Sequence, residues 1–115
     1  MRKTRPAAVT SVSLGDGFWK TRADVNRAKT IPHEYTLCKD TGRIDVFRAV
    51  WDENVDVGSH KFWDSDLAKW VEAASFSLAT HPDGALDAQL DEVIEWIAKA
   101  QRPDGYLNTY FTLKE

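Results

Sequence analysis

The sequence predicts a mainly all-α fold, and two amphipathic segments carry that prediction. Residues 64–80 and 84–101 place their apolar side chains three and four positions apart, as the buried face of a helix requires. Only residues 81–83 separate the two segments, so they are predicted to form an αα-hairpin. The first helix also carries Phe76 on its second side, which one partner helix cannot cover. The hairpin therefore needs further layers of structure to cover the second side of its first helix.

The residues before the hairpin give weaker signals. Residues 1–8 are predicted to be a flexible arm that precedes a domain covering residues 9–115. Residues 9–14 alternate between apolar and polar side chains, which predicts a short strand. A helix is expected from Phe18 to about residue 28, with a break near Pro32.

Two further segments complete the N-terminal half. Residues 34–39 are expected to form a helical turn. Residues 44–51 fit a strand or a helix, and the spacing of their apolar residues favours the helix. Within the hairpin, Asp64 or Ser65 is predicted to cap the first helix, and Asp83 to cap the second.

Composition and charge exclude several classes of function. The 115 residues carry a net charge of -3, with scattered basic residues, which argues against binding to nucleic acid. No apolar run approaches the roughly 18 residues of a membrane-spanning helix, so no membrane association is expected. The single cysteine, Cys38, cannot form a disulfide within the chain, and this fits a cytoplasmic location.

The start of the first hairpin helix is one candidate binding site. Asp64 and Asp66 lie there with Lys69, and two carboxylates beside a lysine could hold a polyhydroxylated ligand. A capped helix with an ion pair between residues 66 and 69 explains the same pattern without a ligand, and spacing alone favours that interpretation.

The segment after the second helix is another candidate. Residues 101–110 read QRPDGYLNTY, in which Pro-Asp-Gly has the chemistry of a tight turn. Such a turn could gather Gln101, Asp104 and Tyr106, where an aromatic face would stack on a sugar ring and polar groups would bind hydroxyls. A loop whose tyrosines simply pack on the hairpin explains the segment equally well.

Other reactive side chains favour structural roles. His33-Glu34 begins the zinc signature H-E-x-x-H, but position 37 is leucine, so that signature is absent. Cys38 lies five residues from His33, a poor spacing for a nucleophile and its base, and a buried, unreactive thiol is favoured. The five tryptophans are expected mainly in the core rather than on a ring-binding surface.

Three motifs together make the chain resemble the start of the catalytic domain of glycoside hydrolase family 127, the β-L-arabinofuranosidases. They are FWDSDLAKW at residues 62–70, LATHPD at residues 78–83 and AQRPDGYL at residues 100–107, with Gly17-Phe18-Trp19 as a further match. The resemblance implies part of an (α/α)6 barrel and an enzyme that removes terminal β-L-arabinofuranose from oligosaccharides or glycoconjugates with retention of configuration.

The resemblance also implies which parts of the enzyme this chain holds. A cysteine nucleophile held by zinc, with surrounding cysteines and a glutamate, and a second glutamate as acid/base would all lie beyond position 115. Cys38 matches none of them, so no catalytic and no metal-binding residue is expected here. The expected contribution is one wall of the sugar pocket. Its candidate residues are Asp64, Asp66, Gln101, Asp104 and Tyr106.

The chain is therefore expected to be the incomplete, inactive N-terminal segment of a glycosidase, with carbohydrate as its partner and a homodimer as one possible assembly of the full-length enzyme. Two alternatives stay open. One is another α/α-barrel enzyme acting on carbohydrate, either a lyase or an unsaturated uronide hydrolase. The other is a non-catalytic helical interaction module.

Overall fold

The computed structural model describes residues 4–114, and most of them are helical. A 3₁₀ turn at Val9–Ser11 precedes the first α-helix. The six α-helices of these residues are α1 (Phe18–Val25), α2 (Ile31–Asp40), α3 (Asp45–Ala49), α4 (Trp63–Thr80), α5 (Gly84–Ala100) and α6 (Thr109–Lys114). The mainly all-α prediction is confirmed.

The predicted hairpin is α4 and α5, and both helices lie within one residue of their expected ends. Asp83 caps α5 as predicted, because its carboxylate accepts hydrogen bonds from the amides of Ala85 at 3.0 Å and Leu86 at 3.2 Å. The predicted cap of α4 is wrong. Phe62 precedes that helix without a side-chain cap, and the Ser65 hydroxyl donates to the carbonyl of Phe62.

The predicted N-terminal strand is also wrong, since residues 4–114 contain no strand. Residues 9–11 instead form the 3₁₀ turn, in which the amide and the hydroxyl of Ser11 both donate to the carbonyl of Ala8. A strand requires a neighbouring strand to bind its backbone groups, and none is available here. Of the predicted arm at residues 1–8, residues 1–3 lie outside the described residues.

The sequence predicted a break in the helix near Pro32, but the helical path continues through this residue. A π-helical turn at Asn26–Thr30 connects α1 directly to α2, and Pro32 occupies an early position of α2. Inside a helix a proline removes one backbone hydrogen bond and its ring crowds the preceding turn. The wider π turn lies directly before α2, where the helical path has to accommodate this proline. The ambiguous segment 44–51 forms the short helix α3 rather than a strand.

Helix α4 lies between α5 and α2 and supplies the centre of the core. Its buried side chains are Leu67, Trp70 and Ala74, and those of α5 include Leu86, Leu90 and Val93. Ile94, one of the regularly spaced apolar residues of α5, is 44% exposed. The prediction that the hairpin needs further layers is confirmed in part by α2, which packs on α4.

Much apolar surface stays uncovered in these residues. Phe18 is 62% exposed, Trp19 is 71% exposed and Phe76 is 55% exposed, although all three are large aromatic side chains. The radius of gyration is 17.0 Å, against roughly 13 Å for a compact domain of this length. Within residues 4–114, no helix has both the length and the apolar character needed to cross a bilayer.

The cap of α5 gives a stability prediction. We expect Asp83→Ala to lower the free energy of unfolding by about 1 kcal/mol, because two amides of the first turn lose their acceptor. Asp83→Asn is the matched control and should keep most of the stability, since an asparagine oxygen also caps helices. Urea unfolding followed by circular dichroism measures both. Equal losses in the two variants would contradict the cap.

The link between α2 and α3 gives a second prediction. Gly42 has φ +82°, and an added Cβ would lie 2.5 Å from a methyl of Val57. We expect Gly42→Ala to cost at least about 1 kcal/mol of unfolding free energy through backbone strain and this clash. The control is Gly15→Ala, because Gly15 has open space around it. A similar effect of both substitutions on the thermal midpoint would refute the prediction.

Candidate functional site

The start of α4 and the segment after α5 meet at one end of the hairpin. Both oxygens of the Asp64 carboxylate bind Thr109, the first residue of α6: one accepts from its amide at 2.9 Å, the other from its hydroxyl at 2.5 Å. Thr109 is 1% exposed and is the buried polar residue of the described part of the chain. The structure therefore brings together two segments that lie 45 residues apart in sequence.

Asp66 points in a different direction from Asp64. Two residues turn a helix by roughly 200°, so the two carboxylates lie on opposite sides of α4. Asp66 forms an ion pair with Arg43 at 3.0 Å and a longer one with Lys69 at 3.6 Å. The i,i+3 ion pair expected from the sequence is thus present, and Arg43 is a partner that the sequence did not indicate.

Arg43 joins three groups at the base of α4. Its guanidinium donates to the hydroxyl of Thr41 at 2.7 Å and lies 5.5 Å from the ring centre of Trp63, in addition to the ion pair with Asp66. These contacts fix the link between α2 and α3 against the first turn of α4. A side chain in this position orients neighbouring groups rather than supplying chemistry.

A cleft of about 520 Å³ opens between α2 and α4. Its walls include Asp66, Arg43 and Lys69 together with Cys38 and Trp70. Of the five predicted sugar-pocket residues, Asp66 alone lines this cleft. It offers charged groups above an apolar floor, a composition that suits a polar ligand with an apolar face.

The predicted turn after α5 exists and contains three of the candidate residues. The Asp104 carboxylate accepts from the amide of Tyr106 at 2.9 Å, and the Gln101 side chain donates to the carbonyl of Gly105 at 2.9 Å. Gly105 adopts φ +89°, which suits glycine in a tight turn. The turn is thus held by its own hydrogen bonds.

Several side chains of this turn are exposed in the described residues. Tyr106 is 42% exposed, and the guanidinium of Arg102 lies 5.7 Å from its ring centre. Gln101 and Asp104 are exposed as well. Gln101, Asp104 and Tyr106 are therefore neighbours in one loop, and Asp64 anchors the far end of that loop through Thr109.

Sequence analysis missed two residues that matter at this end of the hairpin, Thr109 and Arg43. Thr109 stood in the candidate loop without a role, and Arg43 followed Gly42 in a segment without a pattern. Neither pairing has a sequence signal, because a contact across 23 or 45 residues leaves no periodicity.

Cys38 is buried in α2, as expected for a structural thiol. Burial raises the pKa of this thiol above its ordinary value, and the nearby Arg43 opposes the rise only in part. A raised pKa disfavours the thiolate, which is the nucleophilic form. Cys38 is therefore poorly suited to nucleophilic catalysis.

The tryptophans divide between core and surface. Trp70 is 4% exposed, and its indole nitrogen donates to the carbonyl of Ile31 at 3.0 Å. Trp63 and Trp96 are half-buried, whereas Trp19 and Trp51 are exposed. The expectation that the tryptophans lie mainly in the core therefore holds for Trp63, Trp70 and Trp96, which are buried or half-buried.

The zinc implied by the family resemblance would need a set of ligand side chains. Residues 4–114 hold no group of three or more histidine, cysteine, aspartate or glutamate side chains that could bind a metal ion. Structural and catalytic zinc sites use three or four such ligands, so these residues alone do not form such a site.

Comparison with known proteins identifies the family. The family model for the β-L-arabinofuranosidase catalytic domain of glycoside hydrolase family 127 matches residues 11–115. The non-reducing end β-L-arabinofuranosidase of Bifidobacterium longum subsp. longum is 31% identical over 128 aligned positions, which cover 90% of this chain and 19% of that protein.

Solved structures agree with this match. A family 127 β-arabinofuranosidase is 40% identical with a TM-score of 0.83. The match covers 94% of this chain and 17% of the chain in that structure. A family 127 β-L-arabinofuranosidase from Geobacillus stearothermophilus is 39% identical with a TM-score of 0.78. That match covers 87% of this chain and 17% of the chain in the solved structure.

These relatives are glycosidases of the α/α-barrel class, as the sequence resemblance implied. The chain belongs to glycoside hydrolase family 127 and corresponds to the N-terminal part of its catalytic domain. It spans 19% of the length of the curated relative and 17% of each of the two solved structures.

The raised pKa of Cys38 gives a pH prediction. The unfolded chain loses the thiol proton at a lower pH than the folded chain, so alkaline pH favours unfolding. Below the ordinary pKa of cysteine, we expect the Cys38 thiol to leave the free energy of unfolding unchanged. As the pH rises above that ordinary pKa, we expect the free energy of unfolding to fall. Cys38→Ala should remove that part of the alkaline decline in urea-unfolding curves. An unchanged decline would show that another group causes it.

Proposed function

We propose that the complete protein hydrolyses terminal β-L-arabinofuranosides, and that residues 4–114 contribute one wall of its sugar pocket. The family match supports the reaction. The observation that carries the role of these residues is the contact between Asp64 and Thr109, which unites the start of α4 with the loop after α5.

The chemistry of this wall is binding and orientation. Tyr106 offers a partly exposed aromatic ring, and the exposed side chains of Gln101 and Asp104 lie within the same short turn. Asp66 lines a separate cleft between α2 and α4, on the opposite side of α4 from Asp64, where Lys69 and Arg43 balance its charge. A sugar presents hydroxyls and an apolar face, and these groups match both features.

The residues that break the glycosidic bond would lie outside this part of the chain. Residues 4–114 contain no cluster suited to zinc, and the one thiol is buried with a raised pKa. In the complete enzyme, hydrolysis with retention would proceed in two steps through a covalent sugar–enzyme intermediate. The single cysteine of this chain supports our further proposal of a cytoplasmic location.

The test is hydrolysis by the protein from the complete reading frame that carries these residues. We expect release of 4-nitrophenol from 4-nitrophenyl β-L-arabinofuranoside, with the α-anomer as the control substrate. Cleavage of the α-anomer or of an unsaturated uronide, without cleavage of the β-anomer, would contradict the proposal and favour another α/α-barrel enzyme.

The wall itself is tested at Tyr106. We expect Tyr106→Ala to raise KM roughly tenfold, which corresponds to about 1.4 kcal/mol of lost binding, because the sugar loses an aromatic surface. Tyr106→Phe keeps the ring, so its KM should stay near that of the unmodified enzyme. Steady-state kinetics on the β-anomer measure both. An unchanged KM in Tyr106→Ala would exclude this residue from the pocket.

A further inference from the structure

We propose that Asp64 is a positioning residue rather than a sugar ligand: it anchors the loop at residues 101–108 by binding Thr109. The inference rests on the proposed function, because the loop is assigned there to the sugar pocket. It replaces the role that the sequence suggested for Asp64 with one that its contacts define.

The carboxylate of Asp64 is already engaged on both oxygens. One oxygen accepts from the amide of Thr109 at 2.9 Å and the other from its hydroxyl at 2.5 Å. Hydrogen bonds to a charged acceptor are stronger than neutral ones. A sugar hydroxyl would have to compete with this pair, or share an oxygen with it, to reach Asp64.

Thr109 needs such a partner. It is 1% exposed, and it begins α6, where the first amides of a helix have no acceptor within the helix. A buried amide without an acceptor is costly. Asp64 supplies the acceptor from the first turn of α4, so it acts as a cap delivered from another helix.

The loop between α5 and α6 has hydrogen bonds of its own, but these fix only its shape. The amide of Arg102 donates to the carbonyl of Tyr106 at 2.9 Å, and Asp104 and Gln101 bind groups inside the same turn. These bonds leave the orientation of the turn against α4 open. The end of α5 fixes one side of the loop, and Asp64 fixes the other through Thr109.

The experiment compares two substitutions of Thr109 in the complete protein. Thr109→Val keeps the side-chain volume and removes the hydroxyl, whereas Thr109→Ser keeps the hydroxyl. Asp91→Asn is the surface control, since Asp91 is exposed on α5. The readouts are kcat and KM on 4-nitrophenyl β-L-arabinofuranoside, and hydrogen–deuterium exchange of the amides at residues 101–108.

We expect Thr109→Val to raise KM about fivefold to tenfold with kcat within about twofold, a loss of uniform binding, and to speed exchange in the loop. Thr109→Ser should restore both values, and Asp91→Asn should change neither. The proposal would be overturned if Thr109→Ser raised KM and sped exchange as much as Thr109→Val does. It would also be overturned if Thr109→Val changed neither KM nor exchange.

Asp64→Asn provides a second variant with the same shape and no charge. An asparagine offers one acceptor where Asp64 offers two, so we expect faster exchange and a raised KM here as well. If Asp64 instead bound the sugar, Asp64→Asn would raise KM without altering exchange in the loop, and that result would refute the anchor.

The two proposals fail in different ways. An enzyme that is inactive on the β-anomer would refute the proposed function, while exchange would still report on the anchor. In that case, faster exchange in Thr109→Val supports the anchor, and unchanged exchange overturns it.

Discussion

The structure depends on α4 being packed on two sides. Helix α5 covers one side and α2 covers another, so that Leu67, Trp70 and Ala74 are all buried. One contact with α2 combines packing with polarity: the indole of Trp70 donates to the carbonyl of Ile31 and lies 5.1 Å from the ring of Tyr35. A buried indole usually finds such an acceptor, and this hydrogen bond ties the start of α2 to α4.

The first turn of α4 extends this central role to the loops. Asp64 binds Thr109 on one side of the helix, and Asp66 binds Arg43 on the opposite side. A single helical turn therefore holds both the segment before α3 and the segment after α5. The two carboxylates at residues 64 and 66 thus have a structural explanation in these contacts.

The uncovered apolar surface agrees with membership of a larger helical domain. Exposed aromatic residues such as Trp19 and Phe76 cost solvation free energy unless other parts of a protein cover them. The family relatives are between five and six times as long as the region they share with this chain, since that region is 17–19% of their length. Residues 4–114 are accordingly best understood as one part of a larger catalytic domain.

The sequence by itself determined the helical class, the hairpin bounds, the Asp83 cap, the turn at Gly105 and the family, because each depends on local spacing or on linear motifs. Tertiary structure alone decided that residues 9–11 form a 3₁₀ turn and not a strand, and that Thr109 and Arg43 bind Asp64 and Asp66. Those outcomes depend on neighbours that are distant in sequence: a strand needs another strand, and a carboxylate binds whichever donor the fold brings to it. No periodicity encodes a hydrogen bond across 45 residues.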